Sequence, residues 1–243
     1  MARKTRPRTR RSTSRPKPVI SGTPRERIIQ AFMALLAEHP IERIGLSEIA
    51  TRADVSLSEL RGEFSTPLAI LAAHVKELDS KVLAEIDPEL AEESPRERLF
   101  DVLMRRLELL APHKEAIGSL LRSARRDPPL ALALNVMAVR SQQWMLTAAG
   151  IGAAGPKGMV RAQGLALLFA NTLRIWVDDD DPGLARTLAA LDRELARGQR
   201  FAGLLDDLCR IPQAACAFRQ CMRNAARSGR GSGRDRRGEH LAM

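Results

Sequence analysis

Residues 46–71 read LSEIATRADVSLSELRGEFSTPLAIL, and their spacing decides how the rest of the chain is read. A first short helix, about Ser47 to Ala53, carries Ile49, Ala50 and Ala53 on one side. A second, about Leu57 to Phe64, carries Leu57, Leu60 and Phe64 at i, i+3 and i+7. Only Asp54-Val55-Ser56 separates them. So short a connection, with an apolar Val and a Ser able to accept from the free N–H groups of the next helix, makes the two helices cross steeply. The stretch is a helix-turn-helix, too small to fold alone.

Working outward, Thr23-Pro24-Arg25-Glu26 is a capping box with Pro at the first helical position. The helix it opens places Ile28, Ile29, Phe32, Leu35 and Leu36 on one face and ends near Glu38, because Pro40 disfavours the α conformation at His39. On the other side, Thr66-Pro67 starts a long helix to about Ile86, with a seam of Ile70, Leu71, Val75, Leu78, Val82 and Ile86. Ser94-Pro95-Arg96-Glu97 caps a further helix carrying Leu99, Phe100, Leu103, Met104, Leu107 and Leu110. Pro112 and Asp127-Pro128-Pro129 delimit one helix and begin the next, which runs to about Ala148. Gly150–Gly158 reads as a loop. The segment from Met159 to Val177 is apolar nearly all round, which predicts burial on most sides, a second subunit included. Asp181-Pro182 then opens a helix over Gly183–Arg197. Helical periodicity throughout, with Leu and Ala in place of aromatic and β-branched residues, predicts an all-α chain.

The 243 residues carry a net charge of +10, unevenly spread. Residues 1–22 contribute +8 and residues 218–243 contribute +5, so the 195 residues between them carry −3. Attraction to a polyanion is therefore concentrated in the two ends. Composition predicts a disordered basic arm over 1–22, a helix-turn-helix domain over 23–75, a helical domain over 76–210 and a basic tail over 211–243. Cys209, Cys216 and Cys221 have no metal-ligand spacing and read as free thiols. No apolar run has the length of a membrane span and no hydrophobic signal segment follows the basic start, so a cytoplasmic protein is expected.

Three enzyme-like or metal-like patterns dissolve on inspection. The glycines of 150–158 lack a preceding strand and a following G-K-[ST], so no nucleotide cofactor is expected. Asp178–Asp181 sits where the partial positive charge of a helix N-terminus favours carboxylates, and no further oxygen ligands for a cation are indicated. His39, His74, His113 and His240 are scattered. No catalytic constellation, metal site or cofactor is assigned.

Residues 23–75 resemble the DNA-binding domain of TetR-type transcriptional regulators. The pattern I-A-x-x-A-x-V-S-x-x-x-L-x-x-x-F is met by Ile49, Ala50, Ala53, Val55, Ser56, Leu60 and Phe64. The resemblance implies a three-helix DNA-binding domain joined by the long fourth helix to an antiparallel helical ligand-binding and dimerisation domain. It also implies a homodimer on a palindromic double-stranded operator, and a small apolar or amphipathic effector. Leu60 and Phe64 are assigned to packing. Ser47, Ser56, Leu57, Ser58, Glu59, Arg61 and Gly62 are the candidate DNA contacts. Met104, Leu107, Met137, Arg140, Trp144, Phe169 and Trp176 are the candidate ligand pocket, with helices 159–177 and 183–197 as the dimer interface.

The chain departs from the family pattern at three points. Asp54 stands where the family usually has Gly, which is tolerable because Asp enters the left-handed region more readily than most residues. Arg61 stands at the position of its phosphate-contacting Tyr, and Pro67 at that of its Lys. With Glu59 and Glu63 on the recognition helix, backbone affinity is expected to be lower, and the basic arm either compensates or is a solubilising tail. Residues 99–106, 111–114 and Trp176, Asp178, Leu191 and Leu195 also look similar to the TetR-fold lipid-binding proteins of ubiquinone biosynthesis. That resemblance implies a second function: a lipid-binding accessory protein without specific DNA binding, its basic segment 199–223 on a membrane surface.

Overall fold

The computed structural model describes residues 22–86 and 92–200. The N-terminal arm, the cysteines, the basic tail and all but the start of segment 199–223 lie outside the described residues. Within them the chain is all helical, with no strand. The helices are α1 (Pro24–Glu38), α2 (Leu46–Ala53), α3 (Leu57–Glu63), α4 (Pro67–Ala84), α5 (Pro95–Leu110), α6 (Lys114–Ala124), α7 (Pro128–Ala148) and α8 (Gly155–Trp176). A last helix, α9, occupies 185–200.

Local chemistry explains most of these starts. Thr23 with Glu26, Ser56 with Glu59 and Ser94 with Glu97 are reciprocal capping boxes. Thr66 and Asp127 cap α4 and α7 from one side, each followed by Pro. Such caps satisfy amide groups that the first helical turn leaves without partners. Two boundaries differ from the periodicity reading. Helix α8 begins at Gly155, four residues before Met159, because Pro156 stands in its first turn and the backbone of Ala153 lies close against Gly158. A Cβ on Gly158 would sit 2.1 Å from the Ala153 carbonyl carbon, so only Gly admits this entry. After α8, Asp181 accepts from the amides of Gly183 (3.3 Å) and Ala185 (3.2 Å), and Leu184 takes a left-handed φ of 50°. Helix α9 therefore starts at 185, two residues later than Gly183.

Two apolar cores form. The first joins Ile28, Phe32, Leu35 and Leu36 of α1 to Ile49, Leu60, Phe64 and Ile70, and is completed by Ala116 and Leu120 of α6 and Leu130 of α7. The N-terminal helices thus need α6 and α7 to close their own core. Hydrogen bonds add to this join: Ser119 donates to the carbonyl of His39 (3.2 Å), and Ser123 to Glu42 (3.1 Å). The second core packs Leu78 and Val82 of α4 with Leu103, Leu107, Met145, Phe169, Trp176 and Leu191. Helix α4 is shared between the two, so it is the rigid element connecting the helix-turn-helix to the body.

A buried polar group sits where α4, α5, α7 and α8 meet. The Asp79 carboxylate accepts from Arg106 and from the Ser141 hydroxyl (2.8 Å), all three residues being buried. The Arg106 guanidinium lies 5.5 Å from the centroid of the Phe169 ring. Nearby His74 packs edge-on to His113, their rings 4.8 Å apart. Burial, and then the positive charges of His113, Lys81 and Arg106, push the His74 imidazole down to about 4.

Within one chain, helix α8 is covered on one side only, which leaves the rest of its apolar surface for the second subunit its composition predicts. Met159, Val160 and Leu167 are exposed, Leu167 at 56%, next to exposed Leu132, Val136 and Trp144 on α7. Asn135 and Gln163 hold the two helices together through reciprocal amide bonds of 2.9 and 3.0 Å, which leaves this apolar surface facing outward. No described helix is long and apolar enough to cross a membrane.

Candidate nucleic-acid interface

The recognition helix is held by two arginines of the first turns of α1. Arg27 donates from Nη1 to the carbonyls of Ala53 (3.2 Å) and Asp54 (2.9 Å). Those carbonyls belong to the turn itself, where Asp54 takes a left-handed φ of 54° at the end of α2. Arg25 lies over the Phe64 ring, 4.8 Å from its centroid, and reaches Glu63 (3.5 Å) and Glu77 (3.6 Å). One arginine fixes the N-terminal approach to α3 and the other its C-terminal end. Sequence reasoning missed both, because an Arg in a first helical turn has no distinguishing local signal.

The anchors of α3 are as expected. Leu60 and Phe64 are buried, at 2% and 5% exposure. Leu57 is not part of that packing face: it is 57% exposed, because it sits at the first position of α3, before the helix comes down on the core. Ser47, Ser58, Arg61 and Gly62 are exposed as well. Nothing lies within 4 Å of where a Cβ on Gly62 would stand, and Arg61 makes no hydrogen bond or ion pair with any described residue.

The two acids on the recognition helix are occupied within the molecule. The Glu59 carboxylate accepts from the amide of Ser56 (2.7 Å) and from its hydroxyl (2.8 Å), while the Glu59 amide donates back to Ser56 Oγ (3.1 Å). The Ser56 amide first, then its hydroxyl, holds the Glu59 carboxyl below the ordinary range. Ser56 and Glu59, both read from the sequence as DNA contacts, therefore spend their polar groups on the cap of α3. Glu63 is turned to Arg25. The face that α3 offers to solvent is Leu57, Ser58, Arg61 and Gly62, with a single cation and no carboxylate free of an intramolecular partner.

The candidate ligand-pocket residues are divided between the second core, the first core and the surface. Leu107, Phe169 and Trp176 are buried together in the second core with Met104 against them. Met137 packs against the first core instead, and Arg140 and Trp144 point outward from α7, Trp144 at 59% exposure. The reason is phase: Leu132, Val136, Arg140 and Trp144 recur every four residues and form the outer stripe of α7. The polar group that does lie inside, Asp79 with Arg106, had a legible signal. Arg106 falls in register with Leu99, Leu103 and Leu110, and Asp79 with Val75 and Val82, so each is a charge on an apolar seam. Asp179, within the acidic run, is also buried, its carboxylate accepting from the hydroxyl (2.6 Å) and amide (2.9 Å) of Thr187. Among the described residues no cluster of His, Cys, Asp and Glu is arranged to hold a metal ion.

No protein-family model and no curated protein matches the chain. Solved structures do. A TetR transcriptional regulator from Nitrosomonas europaea ATCC 19718 is similar at 22% identity and a TM-score of 0.58, over 73% of this chain and 99% of that one. A TetR transcriptional regulator from Rhodococcus sp. RHA1 is similar at 20% identity and a TM-score of 0.52, over 72% and 95%. A putative TetR-family regulator from Syntrophomonas wolfei is similar at 14% identity and a TM-score of 0.53, over 74% and 94%. With α3 anchored by Leu60 and Phe64, presented by Arg25 and Arg27, and carried on the shared α4, this chain has the TetR-type fold.

Proposed function

We propose that this protein is a homodimeric, ligand-responsive DNA-binding regulator acting as a repressor in the cytoplasm, and not an enzyme. One observation carries the reading: the solvent face of α3 holds Arg61, without a described partner, while Glu59 and Glu63 are both drawn back to their own fold. A carboxylate pointing out of a recognition helix repels phosphate. With Glu59 turned to the Ser56 cap and Glu63 to Arg25, the cation that α3 offers outward is Arg61, placed to donate to a guanine edge or a phosphate.

The pairing surface we assign is the outward apolar face of α7 and α8, which keeps helix 159–177 and takes α7 in place of helix 183–197. Leu132, Val136 and Trp144 adjoin Met159, Val160 and Leu167, and α9 exposes no large apolar residue among those described. Exposed Trp144 among aliphatic side chains supplies the apolar centre that an interface core is built on. Two-fold pairing there presents two α3 helices to half-sites one or more DNA turns apart, about 34 Å per turn.

The test is a gel shift at stated salt on DNA upstream of the gene encoding the protein, with the full chain and with a chain lacking residues 1–22. Arg61→Ala should weaken the specific complex by about 1–3 kcal/mol, roughly ten-fold or more, with circular dichroism unchanged. Unchanged operator affinity would sink the assignment of Arg61. Binding that needs the arm and shows no sequence preference would instead support the lipid-binding accessory role.

A further inference from the structure

Among the described residues the second core is closed around Leu103, Leu107, Met145 and Trp176, at most 1% exposed, and Phe169, 4% exposed. Space lies elsewhere, in a groove of about 720 Å³ between the start of α5, the α7–α8 loop, α8 and the end of α9. Its walls are Leu99, Ile151, Leu165, Leu168 and Leu195, and its rim carries three arginines: Arg96, paired with Asp192, Arg197, paired with Glu194, and Arg161, which donates to the carbonyl of Gly152. The volume falls within the usual range for small-ligand sites, about 300–1,000 Å³.

A second observation points to an occupant. Gly164 lines this groove in the middle of α8, at a helical φ, and a Cβ placed on it meets nothing within 4 Å. Mid-helix Gly is unfavourable relative to Ala by about 0.5–1 kcal/mol. At Gly158 the backbone of Ala153 accounts for the missing side chain; at Gly164 no described residue does. The missing side chain leaves the α8 backbone open to the groove at this point.

We propose that this groove binds a free single-chain amphiphile, its alkyl chain along Leu165, Leu168 and Leu195 and across Gly164, and its anionic head at the arginine-rich rim. The assignment rests on the ligand-responsive reading above and gives that reading its site and ligand class. Aliphatic walls with few polar groups suit an unbranched chain, and three guanidinium groups against the two carboxylates of Asp192 and Glu194 leave a positive rim that favours a negative head over a neutral or positive one. Val160 and Leu167 form the lip between this groove and the outer apolar face, so an occupant lies at the margin of the pairing surface.

The experiment is isothermal titration calorimetry of the full chain with dodecanoate, dodecanol and dodecyltrimethylammonium below their micellar concentrations, alongside anionic phosphatidylglycerol vesicles. Dodecanoate should bind at one per chain, at least ten-fold more tightly than either other amphiphile. Gly164→Phe, which fills the groove, should weaken dodecanoate at least ten-fold with an unchanged sedimentation coefficient. Arg197→Glu should weaken dodecanoate but not dodecanol, which keeps the test decisive if the Phe variant does not fold. Equal binding of the cationic amphiphile, binding to vesicles alone, or a Gly164→Phe variant that changes association state while still binding dodecanoate would each overturn the proposal. Dodecanoate binding that obeys these variants in a protein with no sequence-specific DNA complex would refute the regulator reading and uphold the groove.

Discussion

Replacing Asp79 by Leu leaves the Arg106 guanidinium inside the protein without its counter-charge. Arg106 is 5% exposed and Asp79 7%, so solvent does not screen the change. Removing one partner of a buried pair typically costs about 3–5 kcal/mol, because a charge stays buried while its compensation is lost. Burial already pulls the Arg106 guanidinium below its ordinary range, and Asp79 opposes that pull. The double variant Asp79→Leu with Arg106→Met removes both charges and leaves the Ser141 hydroxyl without its acceptor, a loss of about 1 kcal/mol. The double variant is therefore expected to be at least 2 kcal/mol more stable than Asp79→Leu alone. Urea unfolding at pH 7 and fixed protein concentration, followed by the fluorescence of buried Trp176, measures all four corners of the cycle. A single Asp79→Leu cost under about 1 kcal/mol, or a double variant as unstable as the single, would refute the view that this pair is a coupled buried unit. Because Asp79 lies on α4, the same variants report whether the helix that carries the helix-turn-helix is held by this contact.

Acid should destabilise the protein through His74, whose imidazole is held to about 4 against an ordinary 6.5. A lowered folded value means that the unfolded chain takes up the proton first, so stability is full above about pH 6.5 and falls by about 2–3 kcal/mol toward pH 4. His74→Leu should flatten that slope in urea titrations between pH 7 and 5, and an unchanged slope would remove His74 as its cause. Two glycines of α8 should respond oppositely to Ala: Gly158→Ala should cost about 2 kcal/mol or more through the clash with Ala153, while Gly164→Ala should stabilise by about 0.5–1 kcal/mol. Melting temperatures of the pair check this, and a shift of the same sign in both contradicts it. Arg27→Met removes the two donations to the α2–α3 turn and should lower specific DNA affinity several-fold and the hydrogen-exchange protection of α3, at a global cost of about 1–2 kcal/mol. Unaltered exchange in α3 would show that the turn does not need the clamp.

Local chemistry made much of this protein legible from its sequence. Capping boxes and prolines announce where α1, α4, α5 and α7 begin, because a cap is made by residues three apart and needs nothing distant. The spacing of Ile49, Ala53, Leu60 and Phe64 determined the helix-turn-helix for the same reason, and the all-α class followed from periodicity. What the structure alone decided depends on residues far apart in the chain. Arg25 and Arg27 grip the turn and α3 from another helix, and Ala116, Leu120 and Leu130 close a core that begins far earlier in the chain with Ile28. Periodicity shows that a helix has an apolar face but not what covers it, so the exposure of Trp144 and of the outer side of α8 within one chain had no signal in the sequence. The charge of the recognition helix shows the same division. Glu59 and Glu63 read as acids facing DNA when only their positions are known, and become a cap and an ion pair once the direction of each side chain is known. A carboxylate's effect on a partner depends on where its charge is satisfied, and that is decided by tertiary contact.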